Sequence, residues 1–195
     1  MKFSYEDKDS VKQMKVVVIG CGSIGSHVTV ALGRIGVKRF ILIDPDKVEK
    51  KNLRNQAFMR NQIGWGKVEA TGVLLEGIDE EIEWVAIARK IQQVAPLIRW
   101  DETDVVIEAV DGAGMKRDIW KMLDAREVMW VGCNGTGGVG SEIKVRRTMC
   151  GWIVGDMETE ANVNNWGVAP RVMTIGGMMA EKAVVEYLRK RETGE

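Results

Sequence analysis

The chain is built from short apolar runs that alternate with stretches of helical spacing. The first run, at residues 15–20, has no polar alternation, so it predicts a strand buried on both faces of a parallel sheet. From Ser23 to about Gly36, apolar residues recur three and four positions apart, which predicts an amphipathic helix that ends at Gly36 as its C-cap. Residues 39–44 form a second apolar run and a second predicted strand.

The same alternation continues along the rest of the chain. Further buried strands are predicted at residues 83–88, 103–110 and 128–133. Further helices are predicted at residues 67–75, 116–125 and 172–190. Two polar stretches are predicted to be loops, namely 47–66 with short helical turns and 158–167. After a second glycine-rich turn, short strands with some alternation are predicted at 142–147 and 152–154, as antiparallel additions.

This order of elements indicates the fold class. Strand–helix alternation followed by a β-rich tail predicts one α/β domain over residues 1–195. Its sheet is expected to be Rossmann-like, doubly wound and mainly parallel, with a short antiparallel addition near the C-terminus. Residues 1–13 are polar and charged. They are interpreted as a frayed terminus, with an arm over a partner subunit as the alternative.

Composition and charge limit the cellular compartment and the classes of partner that we expect. The 28 Lys and Arg residues balance 28 Asp and Glu residues, which indicates neither a nucleic-acid partner nor an acidic disordered tail. No apolar run approaches the roughly 18 residues of a membrane span, and the first residues lack the apolar segment of a signal peptide. The three cysteines, Cys21, Cys133 and Cys150, lack paired spacing and fit a reducing compartment. We therefore expect a cytoplasmic protein with no membrane partner.

Glycines follow the first strand at the spacing G-x-G-x-x-G. Gly20 allows a tight turn, Gly22 lets the backbone approach a phosphate, and Gly25 lets the next helix pack close to the strand. The helix that begins near Ser23 would point its free N–H groups at that phosphate. Asp44 ends the second strand about 20 residues further on, where a carboxylate can bind a ribose hydroxyl. The sequence thus predicts a nucleotide site without specifying the nucleotide.

Longer motifs follow the second strand. They are D-x-D-x-V-E-x-x-N-L-x-x-Q at residues 44–56, Q-I-G-x-x-K-x-E-A at 62–70, D-x-V-x-x-A-x-D at 104–111, and the segments 137–147, 155–156 and 169–172. Together they resemble the ThiF/MoeB/HesA family, relatives of the ubiquitin-activating enzymes. The last three segments resemble the short, zinc-free ThiF subgroup in particular.

The resemblance implies an activity and a set of partners. It implies an adenylyltransferase that binds ATP and Mg²⁺ and adenylates the C-terminal glycine carboxylate of a small ubiquitin-like or sulfur-carrier protein. Thiamin-type sulfur-carrier activation is favoured, and a homodimer is implied. No zinc is expected, because the paired C-x-x-C motifs of larger members are missing.

The resemblance also implies roles for single residues. Lys67, Asp111 and Arg54 would be catalytic, with Asp111 holding Mg²⁺. The residues expected at the nucleotide are Gly20, Gly22, Ser23, Ile24, Gly25, Asp44, Asp46, Asn52 and Lys67.

Two departures from the family pattern leave alternatives open. Asn55 stands where the family has an arginine, so Arg54 or Arg60 would have to reach the phosphates. Gly112 stands where the family usually has an asparagine. A degenerate member that binds nucleotide or carrier without turnover is one alternative. An NAD-dependent oxidoreductase is another, since the glycine turn and Asp44 suit either nucleotide, although no hydride-transfer set of residues is found.

Several single residues have a structural alternative to the functional interpretation. Asp111 would otherwise cap the following helix, Lys67 would be an ordinary solvated lysine, and Asn52 would be a turn residue. Cys133 and Cys150 are interpreted as buried and inert, with sulfur or thioester transfer as the alternative.

Overall fold

The computed structural model of the chain describes residues 7–137, 140–159 and 168–194. Within these residues, strands in the order β3-β2-β1-β4-β5-β7-β6 form one seven-stranded sheet. All neighbouring strands are parallel except β6 and β7, which are antiparallel. The strands are β1 Lys15–Ile19, β2 Arg39–Ile43, β3 Glu83–Ile87, β4 Val105–Glu108, β5 Trp130–Cys133, β6 Lys144–Arg147 and β7 Gly151–Gly155. The helices are α1 Lys8–Gln13, α2 Ser23–Ile35, α3 Lys67–Glu76, α4 Ile91–Val94, α5 Ala113–Asp124 and α6 Ala169–Thr193. The predicted α/β, doubly wound fold is confirmed.

The two faces of the sheet bury alternate residues of each central strand. Along β1, Val16 and Val18 point to the face covered by α2, α3 and α6, in a core that includes Leu32 and Met179. Val17 and Ile19 point to the opposite face, against α4 and α5. This two-sided burial explains why the strand is an unbroken β-branched run.

The predicted loop at residues 47–66 is confirmed, including its short helical turns. Two 3₁₀ helices lie within it, Lys50–Arg54 and Arg60–Gln62. The Gln62 side chain accepts a hydrogen bond from the Met59 N–H at 2.8 Å and donates one to the Ala70 carbonyl at 3.0 Å. The loop is therefore tied to α3 rather than being loosely attached.

The interpretation of the N-terminus as frayed is wrong for residues 7–13. Residues 8–13 form α1 with Asp7 as its N-cap, and Val11 of α1 is fully buried in the core shared with α6. The Tyr187 hydroxyl of α6 donates a hydrogen bond to the Ser10 carbonyl at 3.0 Å. One apolar residue among polar neighbours is too weak a pattern to predict a helix, and the contact that fixes it comes from the far end of the chain.

Several boundaries differ from the predicted ones. The strand predicted at residues 103–110 is shorter, and the strand predicted at 128–133 begins two residues later. Helix α5 begins three residues earlier than predicted, and α6 begins at Ala169 because Pro170 is tolerated in the first turn of a helix. Helix α4 was missed because four residues give no periodicity. The predicted loop at 158–167 lies outside the described residues from residue 160 on.

No helix in the described parts of the chain combines the length and the apolar character that crossing a bilayer requires.

The packing of α1 is testable by truncating its buried residue. Val11→Ala should lower the free energy of unfolding by about 1.5–3 kcal/mol, since it removes two buried methyl groups and leaves a small cavity. Urea denaturation of the whole protein measures this difference. Lys12→Ala changes an exposed residue of the same helix and should stay within about 0.5 kcal/mol. Equal effects of the two substitutions would show that α1 is not packed.

Candidate nucleotide site

A cavity of about 770 Å³ opens at the carboxyl ends of β1, β4 and β5. Strand β1 lies between β2 and β4, so the strand order reverses at this point of the sheet. Ligands of doubly wound folds bind at such a reversal, outside the carboxyl ends of the strands. The cavity is lined by the turns that follow these three strands, by the loop after β2 and by the starts of α2, α3 and α5.

The three glycines of the turn after β1 have different roles. Gly20 has a φ of +93°, and a Cβ on it would lie 2.6 Å from the Ala109 carbonyl oxygen. A Cβ on Gly25 would lie 1.8 Å from the Gly20 carbonyl oxygen. A Cβ on Gly22 would meet no atom of the described chain within 4 Å, and Gly22 lines the cavity. Gly20 and Gly25 thus form the turn, whereas Gly22 leaves space for a ligand.

Helix α2 begins at this open position. Its N-cap is Gly22, and among the described residues no side chain caps its N-terminus. Ser23 and Ile24 line the cavity with the first turn of the helix. Uncapped N–H groups at the positive end of a helix dipole favour an anion. The arrangement of Gly22, Ser23 and Ile24 fits a phosphate group.

Asp44 holds the glycine turn in place. Its side chain is 5% exposed, and one carboxylate oxygen accepts the Cys21 N–H while the other accepts the Asp46 N–H, each at 2.8 Å. Burial raises the pKa of Asp44, while Lys67 and the two N–H groups oppose that rise. Neither Asp44 nor Asp46 belongs to the described cavity lining. The ribose contact therefore stays a prediction, and the role seen in the structure is to connect the end of β2 to the turn after β1.

Lys67 is a buried cation rather than a solvated one. It is 8% exposed, lines the cavity, and its Nζ donates to an Asp46 carboxylate oxygen at 2.9 Å. Burial alone would lower the pKa of Lys67, but attraction to Asp44, Asp46 and Asp111 raises it. The ammonium group is therefore held charged at the cavity wall.

The 3₁₀ helix Lys50–Arg54 brings further polar groups to the cavity. The Asn52 side-chain oxygen accepts the Glu49 N–H at 2.8 Å, so the turn role is confirmed, and Asn52 also lines the cavity. Arg54 lines it too, whereas Arg60 is exposed and outside the described lining. Of the two arginines considered for the phosphates, Arg54 is the one at the site.

Asp111 is exposed at the mouth of the cavity between β4 and α5. The N-cap of α5 is Gly112, with a φ of +88°, and no described side chain caps this helix. The helix-cap alternative for Asp111 is therefore wrong. No group of three or more His, Cys, Asp or Glu side chains in the described residues could hold a metal ion. A single carboxylate fits Mg²⁺, which takes its other ligands from phosphate oxygens and water.

An ion pair at the far wall of the cavity, between Lys116 and Glu108, was missed from the sequence. Lys116 Nζ lies 3.1 Å from a carboxylate oxygen of Glu108 and 3.5 Å from Cys133 Sγ. Glu108 is fully buried and also accepts the Trp120 indole N–H at 2.8 Å and the Val110 N–H at 2.9 Å. The available signal was an acidic residue inside an otherwise apolar strand.

The cysteines separate into two environments. Cys133 lines the cavity, and burial raises its pKa to about 11 although Lys116 opposes the rise. Cys150 lies outside the described lining, and burial raises its pKa as well. A thiol with a raised pKa is a poor nucleophile near neutral pH, which agrees with the inert interpretation of both.

A buried ion pair fixes the segment after β7. One carboxylate oxygen of Asp156 accepts the N–H groups of Glu158 and Thr159, at 3.0 and 2.8 Å. The other accepts the hydroxyls of Ser141 and Thr159 at 2.7 Å and a guanidinium N–H of Arg171 at 3.3 Å. Burial alone would raise the pKa of Asp156, but these hydrogen bonds hold it well below its usual range. Because Thr159 lines the cavity, the pair positions part of its wall.

Comparison with known proteins gives matches to one family. The family model described as "ThiF family" matches residues 1–193. Ubiquitin-like modifier-activating enzyme 5 of Drosophila erecta is 36% identical over 78 residues, which are 40% of this chain and 19% of that protein. The same enzyme of Drosophila sechellia is 27% identical over 137 residues, 64% of this chain and 34% of that protein. The chain thus spans about a fifth to a third of the length of these relatives.

Solved structures share the fold. E. coli tRNA N6-threonylcarbamoyladenosine dehydratase, TcdA, in complex with ATP, has a TM-score of 0.87 and 17% identity, covering 99% of this chain and 93% of that one. E. coli MccB with ATP has a TM-score of 0.72 and 22% identity, covering 92% and 59%. At these identities the likeness establishes the architecture.

The different roles of Gly22 and Gly25 are testable. Gly25→Ala should destabilise the protein by about 3 kcal/mol or more, because its Cβ would overlap the Gly20 carbonyl oxygen. Gly22→Ala should stay within about 1 kcal/mol of the parent stability. Thermal unfolding and calorimetric titration with Mg·ATP measure both properties. Gly22→Ala should weaken Mg·ATP binding at least about tenfold; unchanged binding would place the phosphates elsewhere.

Asp156 should govern part of the acid sensitivity of the fold. Because its pKa is lower in the folded chain than the unfolded value of about 3.9, its contribution is present above that value and is lost as pH falls through the folded pKa. Asp156→Asn should therefore be less stable than the parent at about pH 7, with a difference that shrinks below about pH 4. Urea denaturation across this range tests it. Glu158→Gln, an exposed neighbour, is the control, and a pH-independent difference for Asp156→Asn would refute the assignment.

Proposed function

Because the chain belongs to the ThiF family, we propose that it catalyses the ATP-dependent adenylation of a carboxylate at the C-terminus of a small protein or peptide. The observation that carries the proposal is the set of groups that line one cavity. It combines an open glycine turn at a helix N-terminus, a buried charged lysine, Lys67, and an exposed carboxylate, Asp111.

The chemistry of adenylation suits these groups. A carboxylate oxygen of the substrate attacks the α-phosphorus of ATP, the bond to the bridging oxygen breaks, and pyrophosphate leaves with that electron pair. No general base is needed, because the attacking carboxylate is already ionised at neutral pH. The barrier is the repulsion between two anions, so positioned cations and accurate orientation supply the rate.

Each residue then has a role in this reaction. Gly22 and the first turn of α2 bind a phosphate through the backbone, and Lys67 offsets phosphate charge as a point cation. Arg54 takes the place of the family arginine that Asn55 replaces. Asp111 holds Mg²⁺, which supplies charge neutralisation at the leaving pyrophosphate. Asp44 and Asp46 position Lys67 and the turn.

The proposed partner is a small ubiquitin-like sulfur-carrier protein that ends in glycine, with a thiamin-type carrier favoured. Two things support a protein substrate: the relatives are named ubiquitin-like modifier-activating enzymes, and MccB has been solved with MccA. The thiamin-type assignment rests on the motifs of the short ThiF subgroup. We further propose that the protein acts as a cytoplasmic homodimer.

A tRNA-linked carboxylate is a second candidate, because TcdA, named as a tRNA dehydratase, aligns over 99% of this chain. The formal net charge of zero gives this candidate no electrostatic support. NAD⁺ binding and a member without turnover are the remaining alternatives. All of them predict different results in the same set of measurements.

Mg·ATP should bind in calorimetric titration, and both Lys67→Ala and Asp111→Asn should weaken that binding at least about tenfold. NAD⁺ should not bind. Lys121→Ala, which removes an exposed lysine of α5, is the matched control and should bind like the parent. Thermal unfolding of each variant separates lost binding from lost structure.

Turnover is tested with radiolabelled pyrophosphate exchange into ATP. Exchange should require a carrier protein ending in glycine and should vanish when its last residue is deleted. Tight NAD⁺ binding that Lys67→Ala and Asp111→Asn leave unchanged would indicate an oxidoreductase. Mg·ATP binding without exchange for any glycine-ended carrier would mean a member without turnover, and exchange driven by tRNA alone would favour the second candidate.

A further inference from the structure

We propose that Lys116 is the residue that binds the carboxylate of the substrate to be adenylated. The inference rests on the proposed function, and it assigns the second half of the same cavity. The observations that carry it are the burial of Lys116, its fixed position against Glu108 and the chemistry of its third neighbour, Cys133.

The cavity has two walls that come from different strands. One wall follows β1 and β2 and includes Gly22, Arg54 and Lys67, the groups assigned to the phosphates. The other follows β4 and β5 and includes Asp111, Lys116 and Cys133. An in-line attack brings the nucleophile to the α-phosphorus from the side opposite the leaving pyrophosphate. We place the acyl substrate against Lys116, a largely buried cation of the second wall.

Glu108 fixes the position of the Lys116 ammonium group without using all of its hydrogen-bond donors. The Glu108 side chain is fully buried, and its oxygens already accept N–H groups of Val110 and Trp120. Lys116 itself is 13% exposed and lines the cavity, so one side of it faces the ligand space. An ammonium has three donors, and Glu108 accepts from Nζ at 3.1 Å with one oxygen and at a longer 3.5 Å with the other.

The acceptor of Lys116 outside Glu108 is a weak one. Cys133 Sγ lies 3.5 Å from Nζ, and sulfur is a poor hydrogen-bond acceptor. A substrate carboxylate that took over this donor would replace a weak contact by a charge-assisted hydrogen bond. The cation would also offset the repulsion between that carboxylate and Asp111, which lines the cavity close to it along the chain.

The ion pair is also hard to explain by stability alone. Burying a lysine and a glutamate costs desolvation energy that their attraction often fails to recover, and apolar residues of similar volume are commonly as stable. A charged pair at a cavity wall therefore suggests a ligand that requires the charge. The uncapped start of α5, beginning with Gly112 and Ala113 on the same wall, adds N–H donors for an anion.

The test uses two synthetic peptides that end in Gly-Gly, one with a free C-terminal carboxylate and one with a carboxamide. Their binding is measured by calorimetry with the full chain saturated with Mg²⁺ and the non-hydrolysable analogue AMPCPP. The parent protein should bind the acid at least about tenfold more tightly than the amide. Lys116→Gln, which keeps a donor for Glu108, and the double variant Lys116→Met with Glu108→Gln should bind both peptides equally. Affinity for Mg·AMPCPP should stay within about threefold in each variant.

Lys121→Met, an exposed lysine on the same helix, is the matched control and should keep the preference for the acid. If the preference persists in both Lys116 variants, the inference is wrong. It is equally wrong if the parent binds AMPCPP but binds neither peptide, or binds acid and amide alike. Failure of the parent to bind Mg·AMPCPP at all would instead overturn the proposed function, so the two failures are distinguishable.

Discussion

The geometry of the candidate site depends on the two hydrogen bonds that the Asp44 carboxylate accepts from backbone N–H groups. It lies at the end of β2, and its two oxygens fasten the Cys21 N–H of the glycine turn and the Asp46 N–H of the next loop. Through Asp46 the same network reaches the ammonium of Lys67. A carboxylate whose oxygens both accept backbone N–H groups is costly to remove, because the donors would stay buried without partners. Turn, loop and cation are thus fixed relative to one another before a ligand arrives.

Glu108 has the same function for the opposite wall. It is a second buried carboxylate at a strand end, it accepts one backbone N–H, and it holds the Lys116 ammonium. Asp44 follows β2 and Glu108 ends β4, and these two strands flank β1 in the sheet. The two most buried cations at the cavity, Lys67 and Lys116, are therefore each paired with a carboxylate, which keeps the net charge low while their positions stay fixed. Preorganisation of this kind is what charge-stabilising catalysis requires.

The sequence predicted the parts of the structure that local pattern determines. Unbroken β-branched runs predicted the central strands, and the positive-φ C-cap at Gly36 was predicted from its glycine. Motif positions such as Gly22, Lys67 and Asp111 do converge on one cavity. The predictions failed where a long-range contact decides the outcome. Helix α1 depends on α6 for its packing, and the pairing of Lys116 with Glu108 joins a helix to a strand that local pattern does not connect.

The position of α6 has a consequence for how the protein is made. This helix supplies Ile175, Met179 and Val184 to the same core as β1 and α2, and it packs along α2. It is also the last described element to leave the ribosome during synthesis. Until it emerges, the part of that face formed by β4, β5 and β7 and the inner side of α2 lack the cover of α6, and α1 lacks the helix it packs on. The nascent chain therefore passes through a stage with exposed core residues, when chaperone capture competes with aggregation.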